Sequence, residues 1–253
     1  MTTDTLIIIP CFNEAKRLET QTFIDFARST ENISFLFVND GSSDATESIL
    51  NGLLNAQPDK IHVLHLPRNA GKAEAVRQGF IKGFSLHPTF IGYLDADLAA
   101  PLDCIAQLKN LLVRKQKDIV IGSRIALLGW NVERNNARHY AGRVFATAAS
   151  MILGIRVYDT QCGAKLFRVS PRLKTIFGAP FTVKWIFDVE ILARFLITET
   201  AGLPRLIDIC IECPLEQWID KKGSKLRLVD FLVSGMDLLK IVLIIWRKSL
   251  PRH

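Results

Sequence analysis

Asp95 and Asp97 flank a single alanine just after the apolar run Phe90–Leu94. Two carboxylates at that spacing, leaving a strand, can share a hard divalent cation. Mg2+ or Mn2+ takes such oxygens together with phosphate oxygens and water, and a metal there offsets charge developing on a diphosphate leaving group. Aspartate is also common in ordinary loops after strands, so the motif gains weight only from its setting. Asp40 follows another apolar run and precedes Gly41-Ser42-Ser43-Asp44. Its carboxylate can accept hydrogen bonds from a base or ribose. Asp44 suits the helix cap better, which leaves Asp40 free. Lys72 stands where a helix should begin, a cation against the positive end of the dipole; an anionic ligand would relieve that conflict. Arg124, Arg134, Arg138 and Arg143 outnumber the one acid of their segment, Glu133, and guanidinium forks suit phosphate. Gly223-Ser224-Lys225 is a weaker candidate for a second phosphate-binding element.

These residues must be carried by strands and helices. Short β-branched runs at Thr5–Ile9, Ile33–Val38, Ile61–Leu66, Phe90–Leu94 and Asp118–Ile121 alternate with amphipathic stretches. The spacing predicts helices over about 14–28, 44–56, 70–86 and 102–116, with Asp44 and Pro101 as start signals. Such alternation implies βαβ units, an α/β fold with a mostly parallel central sheet flanked by helices. Ligands of open parallel sheets bind beyond the carboxyl ends of the strands. Here five successive strand ends carry Pro10–Glu14, Asn39–Ser42, Asn69–Lys72, Asp95–Asp97 and Gly122–Arg124. A purely structural role explains the apolar runs but not this polar clustering, which favours one composite site. Past Arg124 the rhythm changes. A polar stretch leads into the apolar run Val144–Ile155, a strand-like segment covers Leu206–Cys213, and the chain ends in a helical pattern. The expected division is one catalytic domain over 1–225 and a C-terminal amphipathic, membrane-interfacial helix over 226–253.

The bulk properties agree. The 253 residues suffice for one large α/β domain, and 49% hydrophobic with 23% charged residues excludes disorder as the default. A net charge of +7 favours an anionic partner such as a phosphorylated substrate or acidic lipid. Nucleic acid is not expected as a partner, because the basic residues are not interleaved with aromatics. No signal peptide is read at Met1–Ile9, and no stretch reaches the ~20 apolar residues of a spanning helix. The five cysteines are scattered, which suits a reducing, cytoplasmic compartment. Cys210 and Cys213 form a CxxC, but strand periodicity puts them on opposite faces, so they are read as structural. GxGxxG, Walker A, GxSxG and HExxH patterns are absent.

Taken together, IIIPCFNE, FVNDGSSDAT, RNAGKAEAVRQG, YLDADLAAP and GSR resemble family 2 glycosyltransferases of GT-A (Rossmann-like) fold. DTQCGAKLFR, WIFDVEIL and the W-x-D-x-x-GSKL pattern at 218–226 narrow the resemblance to polyprenyl-phosphate sugar transferases, most of all the dolichyl-phosphate β-glucosyltransferase group. The resemblance implies that Pro10, Asn13, Glu14 and Asp40 hold the nucleotide, with Lys72 beside them. Asp95 would meet ribose or metal, and Asp97 the metal. Arg124, Arg138 and Lys225 would contact phosphates. Asp159, Gln161, Arg143, Ser224 and the cluster Trp185, Asp188 and Glu190 would form the acceptor end and, with Asp97, the catalytic surroundings. Ala99 departs from the glutamine that some mannosyl transferases carry after the DxD-Leu.

The expected activity is inverting transfer of a sugar, glucose from UDP-glucose, to a polyprenyl or dolichyl phosphate at a membrane's cytoplasmic face. A lipid phosphate has a second pKa of about 6 and needs no strong base, which agrees with the lack of an obvious catalytic histidine. The alternatives are a GDP-mannose-dependent mannosyltransferase acting on the same lipid, or a family 2 enzyme acting on a glycan hydroxyl. The second alternative needs a base, for which Asp159 and Glu190 are the candidates. Val144–Ile155 and Leu238–Trp246, followed by Arg247 and Lys248, are the expected membrane-facing segments.

Overall fold

A computed structural model describes residues 4–125, 129, 131–133, 136–199, 202–219 and 228–249, without the side chains of 131–133, 136–141, 228–234 and 247–249. The strands are β1 Thr5–Cys11, β2 Ile33–Asn39, β3 Ile61–His65, β4 Phe90–Leu94, β5 Ile119–Ser123, β6 Asn131–Glu133, β7 Ala164–Arg168, β8 Cys210–Pro214 and β9 Gln217–Ile219. The helices of the first half are α1 Thr20–Ser29, α2 Thr46–Ala56, α3 Lys72–Phe84 and α4 Cys104–Arg114. Those of the second are α5 Asn136–Leu153, α6 Pro171–Gly178, α7 Phe187–Ile197, α8 Leu206–Ile209 and α9 Leu228–Ser249. The chain divides into two compact units, Met1–Ile105 with Gly163–Pro180, and Ala106–Cys162 with Phe181–His253.

In the first unit the strand order is β3-β2-β1-β4-β7. Every pairing is parallel except β4 with β7, which is antiparallel. β2 is buried along its whole length and β1 nearly so, the expected state of parallel strands covered on both faces. Phe23 of α1 packs edge-on against Phe35 and Phe37, with ring centroids 5.4 and 5.0 Å away. On α3, Gly79 lets the helix backbone sit directly on the sheet: a methyl there would overlap Ile8 Cγ2 and lie 3.0 Å from Val38 Cγ2. Arg77, 7% exposed, is held by both oxygens of Glu74 and by the Gly178 carbonyl, which ties α3 to α6. Phe80 and Phe177 stack beside that tie at 3.8 Å.

In the second unit β5 pairs in parallel with β8, and β6 in parallel with β9. β5 is wholly buried, and α7 packs against α5 and α9.

The five early strands form where the apolar runs place them. Two expectations are corrected. The first helix starts at Thr20, not near residue 14, because residues 13–15 are spent on hydrogen bonds to Ser42, Thr46 and Asp44 at the start of α2 and Asn13 takes a left-handed φ of 53°. The expected strand Leu206–Cys213 opens as the one-turn helix α8, whose Leu206 and Ile209 share one buried side at helical spacing. β7 and its antiparallel pairing have no counterpart among the expected elements.

Close packing of α3 makes a direct test. Gly79→Ala is expected to cost about 1–3 kcal/mol through overpacking. Gly52→Ala, on α2 with no atom within 4 Å of the added methyl, is expected to stabilise by about 0.4–1 kcal/mol. Urea midpoints of the two variants check both signs.

Candidate functional site

Two clusters of candidate residues form, one within each unit. The first gathers at the carboxyl ends of β1, β2 and β4. Pro10 sits past Ile8, the last β1 residue in register with β4, so its missing N–H takes no bond from that ladder. The turn after β1 is laced to the loop after β2. Asn13 N–H donates to Ser42 Oγ at 3.0 Å, Ser43 N–H to Asn13 Oδ1 at 2.9 Å, and Glu14 N–H to Thr46 Oγ1 at 2.9 Å. Asp44 accepts from Thr46 N–H and from Ala15 N–H; the Thr46 hydroxyl holds its carboxyl below the usual range. It therefore braces the start of α2 from the position before Ala45, which is the N-cap residue.

The sequence reading leaves Asp40 free, and the structure corrects this. It is 2% exposed, and its two oxygens accept Ala70 N–H and Gly71 N–H, each at 2.8 Å. Gly41 makes room for this: its φ is +60° and a Cβ would collide with the Arg68–Asn69 backbone. Lys72, the first residue of α3, forms an ion pair with Asp95 Oδ1. Its conflict with the helix dipole is thus met by an anion of the protein itself. Arg17, which sequence reasoning missed, lies 3.4 Å from both Glu14 Oε2 and Asp97 Oδ2. Gly163 was missed too: a methyl there would overlap the Asp95 carboxylate. Neither had a local signal, since Arg17 falls in an ordinary amphipathic stretch and Gly163 is distant in sequence.

Burial and then the neighbouring Asp95 push the Asp97 carboxyl above the usual carboxylate range. Asp95 Oδ1 is buried and, apart from its ion pair, has no aligned hydrogen bond. This pair fits the protein's share of a hard-cation site, because a cation would relieve their mutual repulsion and Mg2+ or Mn2+ fills its remaining positions with phosphate and water oxygens. Among the described residues no group of three or more His, Cys, Asp or Glu makes a fuller metal site. Ala99 offers no donor atom; its N–H instead donates to Asp97 Oδ1 at 3.1 Å. The Cys11 thiol, pushed far up by burial, is inert.

The second cluster is a pocket lined by Arg124, Arg143, Tyr158, Asp159, Thr160 and Gln161. Arg124 forks onto Asp159, Nε to Oδ2 at 2.6 Å and Nη2 to Oδ1 at 2.8 Å, and lies 5.0 Å from the Trp218 ring centroid. Arg143 stacks 3.7 Å above the Tyr158 ring and donates to its carbonyl at 2.8 Å. Thr160 Oγ1 and Gln161 Nε2 are buried with no hydrogen-bond partner among the described residues, as polar groups of a binding pocket are before ligand arrives.

Glu190 lies apart from this pocket. Only 1% exposed as a side chain, it accepts Thr182 N–H, Val183 N–H and the Arg194 fork. It thereby holds the loop that carries Trp185, which is 44% exposed; Asp188 is buried on the same helix, α7. Arg138 is on α5 with its side chain outside the described residues. Arg134, Ser224 and Lys225 lie outside them altogether.

The Asp40 clamp generates a prediction. Asp40→Ala is expected to cost about 1.5–3 kcal/mol, the range for hydrogen bonds to a charged group. Amide exchange at Ala70 and Gly71 is expected to accelerate, which hydrogen-exchange NMR measures directly.

The glycosyl transferase family 2 model matches residues 6–173. A dolichyl-phosphate β-glucosyltransferase of Trichomonas vaginalis is 30% identical over 94% of this chain and 71% of its own length. The polyprenol monophosphomannose synthase of Mycolicibacterium smegmatis is 26% identical over 75% of this chain and 71% of its own length. Among solved structures, glucosyl-3-phosphoglycerate synthase from Mycobacterium tuberculosis in complex with Mn2+ and UDP-glucose superposes with a TM-score of 0.65 at 16% identity, covering 99% of this chain and 80% of that one. With its mostly parallel α/β core and a family match that runs from β1 into α6, the chain belongs to glycosyl transferase family 2 and is a glycosyltransferase of GT-A fold.

Proposed function

We propose that this glycosyltransferase moves glucose from UDP-glucose to a polyprenyl or dolichyl phosphate with inversion. The observation that carries the reading is the state of its candidate bases. Asp159 is locked in a fork with Arg124, and Glu190 is buried against Arg194 and two amides. A neutral hydroxyl acceptor needs a base free to take its proton. A phosphate monoester does not, since it is largely ionised at neutral pH. Arg124, Arg143 and the unsatisfied Gln161 Nε2 suit such an anion. The similarity to dolichyl-phosphate β-glucosyltransferases over nearly the whole chain supports the glucosyl donor over a mannosyl one, because the mannose synthase is less alike over a shorter span.

In this reading Pro10, Asn13, Glu14 and Asp40 shape the nucleotide pocket, and Lys72 and Arg17 place positive charge beside the diphosphate. Mg2+ or Mn2+ on Asp95 and Asp97 would supply charge neutralisation to the departing diphosphate. The acceptor phosphate oxygen bonds to the anomeric carbon as that carbon's bond to the UDP oxygen breaks. Arg138, Arg143, Gln161 and Lys225 serve the acceptor phosphate, and Trp185, Asp188, Glu190 and Ser224 its surroundings.

No helix among the described residues is long and apolar enough to cross a membrane. Met151, 79% exposed, and Trp246, 59% exposed, line an apolar groove with Ile152, Val242 and Ile245, between α5 and α9. Arg247 and Lys248 follow at the end of α9. We assign residues 226–253 to a membrane-interfacial helix beside a 1–225 catalytic domain, and place the protein peripherally on the cytoplasmic leaflet, where anionic lipids attract basic residues.

Transfer of labelled glucose from UDP-glucose to a short polyprenyl phosphate is expected, with loss on adding EDTA. Asp97→Asn should lower turnover by about a hundredfold or more. Transfer only from GDP-mannose, or only to a glycan, would move the assignment to that rival. In sedimentation with phosphatidylserine vesicles, Trp246→Glu is expected to release most of the protein bound by the wild type.

A further inference from the structure

We infer that Glu212 is a positioning residue for the acceptor phosphate, acting through the backbone that carries Tyr158 and Asp159; the inference rests on the acceptor role proposed above for the arginine pocket. Glu212 lies at the centre of β8, in register with Ile121 of β5 and so three residues from Arg124. Its Oε1 accepts Tyr158 N–H and Asp159 N–H, both at 2.9 Å, and its Oε2 accepts Tyr158 N–H at 2.8 Å. Each of those residues holds one arginine of the pocket. Tyr158 offers its ring and carbonyl to Arg143, and Asp159 offers its carboxylate to Arg124. One carboxylate therefore sets the backbone from which both guanidinium groups are placed.

Glu212 does not line the pocket, so its influence on a ligand is indirect. Burial pushes its carboxyl above the usual range, and the two amides act against that shift. Its negative charge also lies behind a pocket that holds two arginines against the single carboxylate of Asp159. Glutamine in its place would keep the volume but set an N–H2 group where an amide donor needs an acceptor. The Tyr158–Asp159 segment would then shift, and both arginines with it. Misplacement of binding groups by about 1 Å can cost about a hundredfold in rate.

The test uses the full chain, with UDP-glucose and a short polyprenyl phosphate varied in turn. For Glu212→Gln the KM for the lipid phosphate is expected to rise about tenfold, while the KM for UDP-glucose stays within about twofold. Glu212→Asp, which restores an anionic acceptor at shorter reach, should recover part of the loss. A fall in kcat with both KM values unchanged marks a merely structural role and overturns the inference, as does wild-type behaviour of Glu212→Gln. Should Glu212→Gln fail to fold, an unchanged lipid-phosphate KM in Glu212→Asp overturns it equally. Absence of transfer by the wild type would refute the proposed activity instead. Calorimetric titration with the same lipid phosphate then decides the inference: weaker binding by the variant supports it, and equal binding overturns it.

Discussion

A loop or helix start carries amide N–H groups that no strand ladder or helix serves, and in this protein acidic side chains serve several of them. Asp40 takes Ala70 and Gly71, Asp44 takes Ala15 and Thr46, Glu190 takes Thr182 and Val183, and Glu212 takes Tyr158 and Asp159. Backbone donors must find partners, and a carboxylate with two oxygens can satisfy two at once. Three of the four join segments at least 29 residues apart: Asp44–Ala15 at 29, Asp40–Ala70 at 30 and Glu212–Asp159 at 53. Loop geometry is thus set by charge on a strand or turn elsewhere, which is stiffer than self-contained turn chemistry.

That arrangement governs which acids remain for chemistry. In the first unit Asp40 and Asp44 hold backbone, which leaves the Asp95–Asp97 pair at the end of β4 for a cation. Even these are met by Lys72 and Arg17. Acids balanced in this way neutralise and orient rather than abstract protons. In the proposed reading, Lys72 and Arg17 in the first unit and Arg124 and Arg143 in the second supply the positive charge that phosphate-linked sugar transfer needs. The net charge of +7 agrees with the anionic substrates of the proposed reading.

The apolar side of the second unit follows a different rule. Met151, Val242 and Trp246 stay exposed although the chain has ample core elsewhere. Scattered surface hydrophobics need no explanation, but a contiguous groove between two helices marks a surface built to be covered. In the function proposed above, an interfacial bilayer region would cover that groove, as no helix among the described residues is long and apolar enough to span a membrane.

Much of this was legible in the residues alone. Apolar runs specified β1 to β5; in β1, β2, β4 and β5 a strand buried on both faces tolerates little else. Their order with intervening helical periodicity specified a parallel α/β fold, and strand-end position singled out Asp40, Lys72, Asp95 and Asp97 as the polar residues of a site. The arginine-rich segment and the motif resemblance together supplied Arg124, Arg143, Asp159 and Gln161, all of which line one pocket. What periodicity cannot carry is long-range pairing. The clamp that occupies Asp40, the reach of Arg17 to Asp97, the closeness of Gly163 to Asp95 and the hold of Glu212 on residues 158–159 each depend on two segments far apart in sequence meeting to within a hydrogen bond. The antiparallel insertion of β7 is of the same kind. Local residue types state which groups are present and which elements they ride on; only the folded chain settles which of those groups spend their charge on one another, because that outcome is decided by distances of about 3 Å between residues the sequence leaves dozens of positions apart.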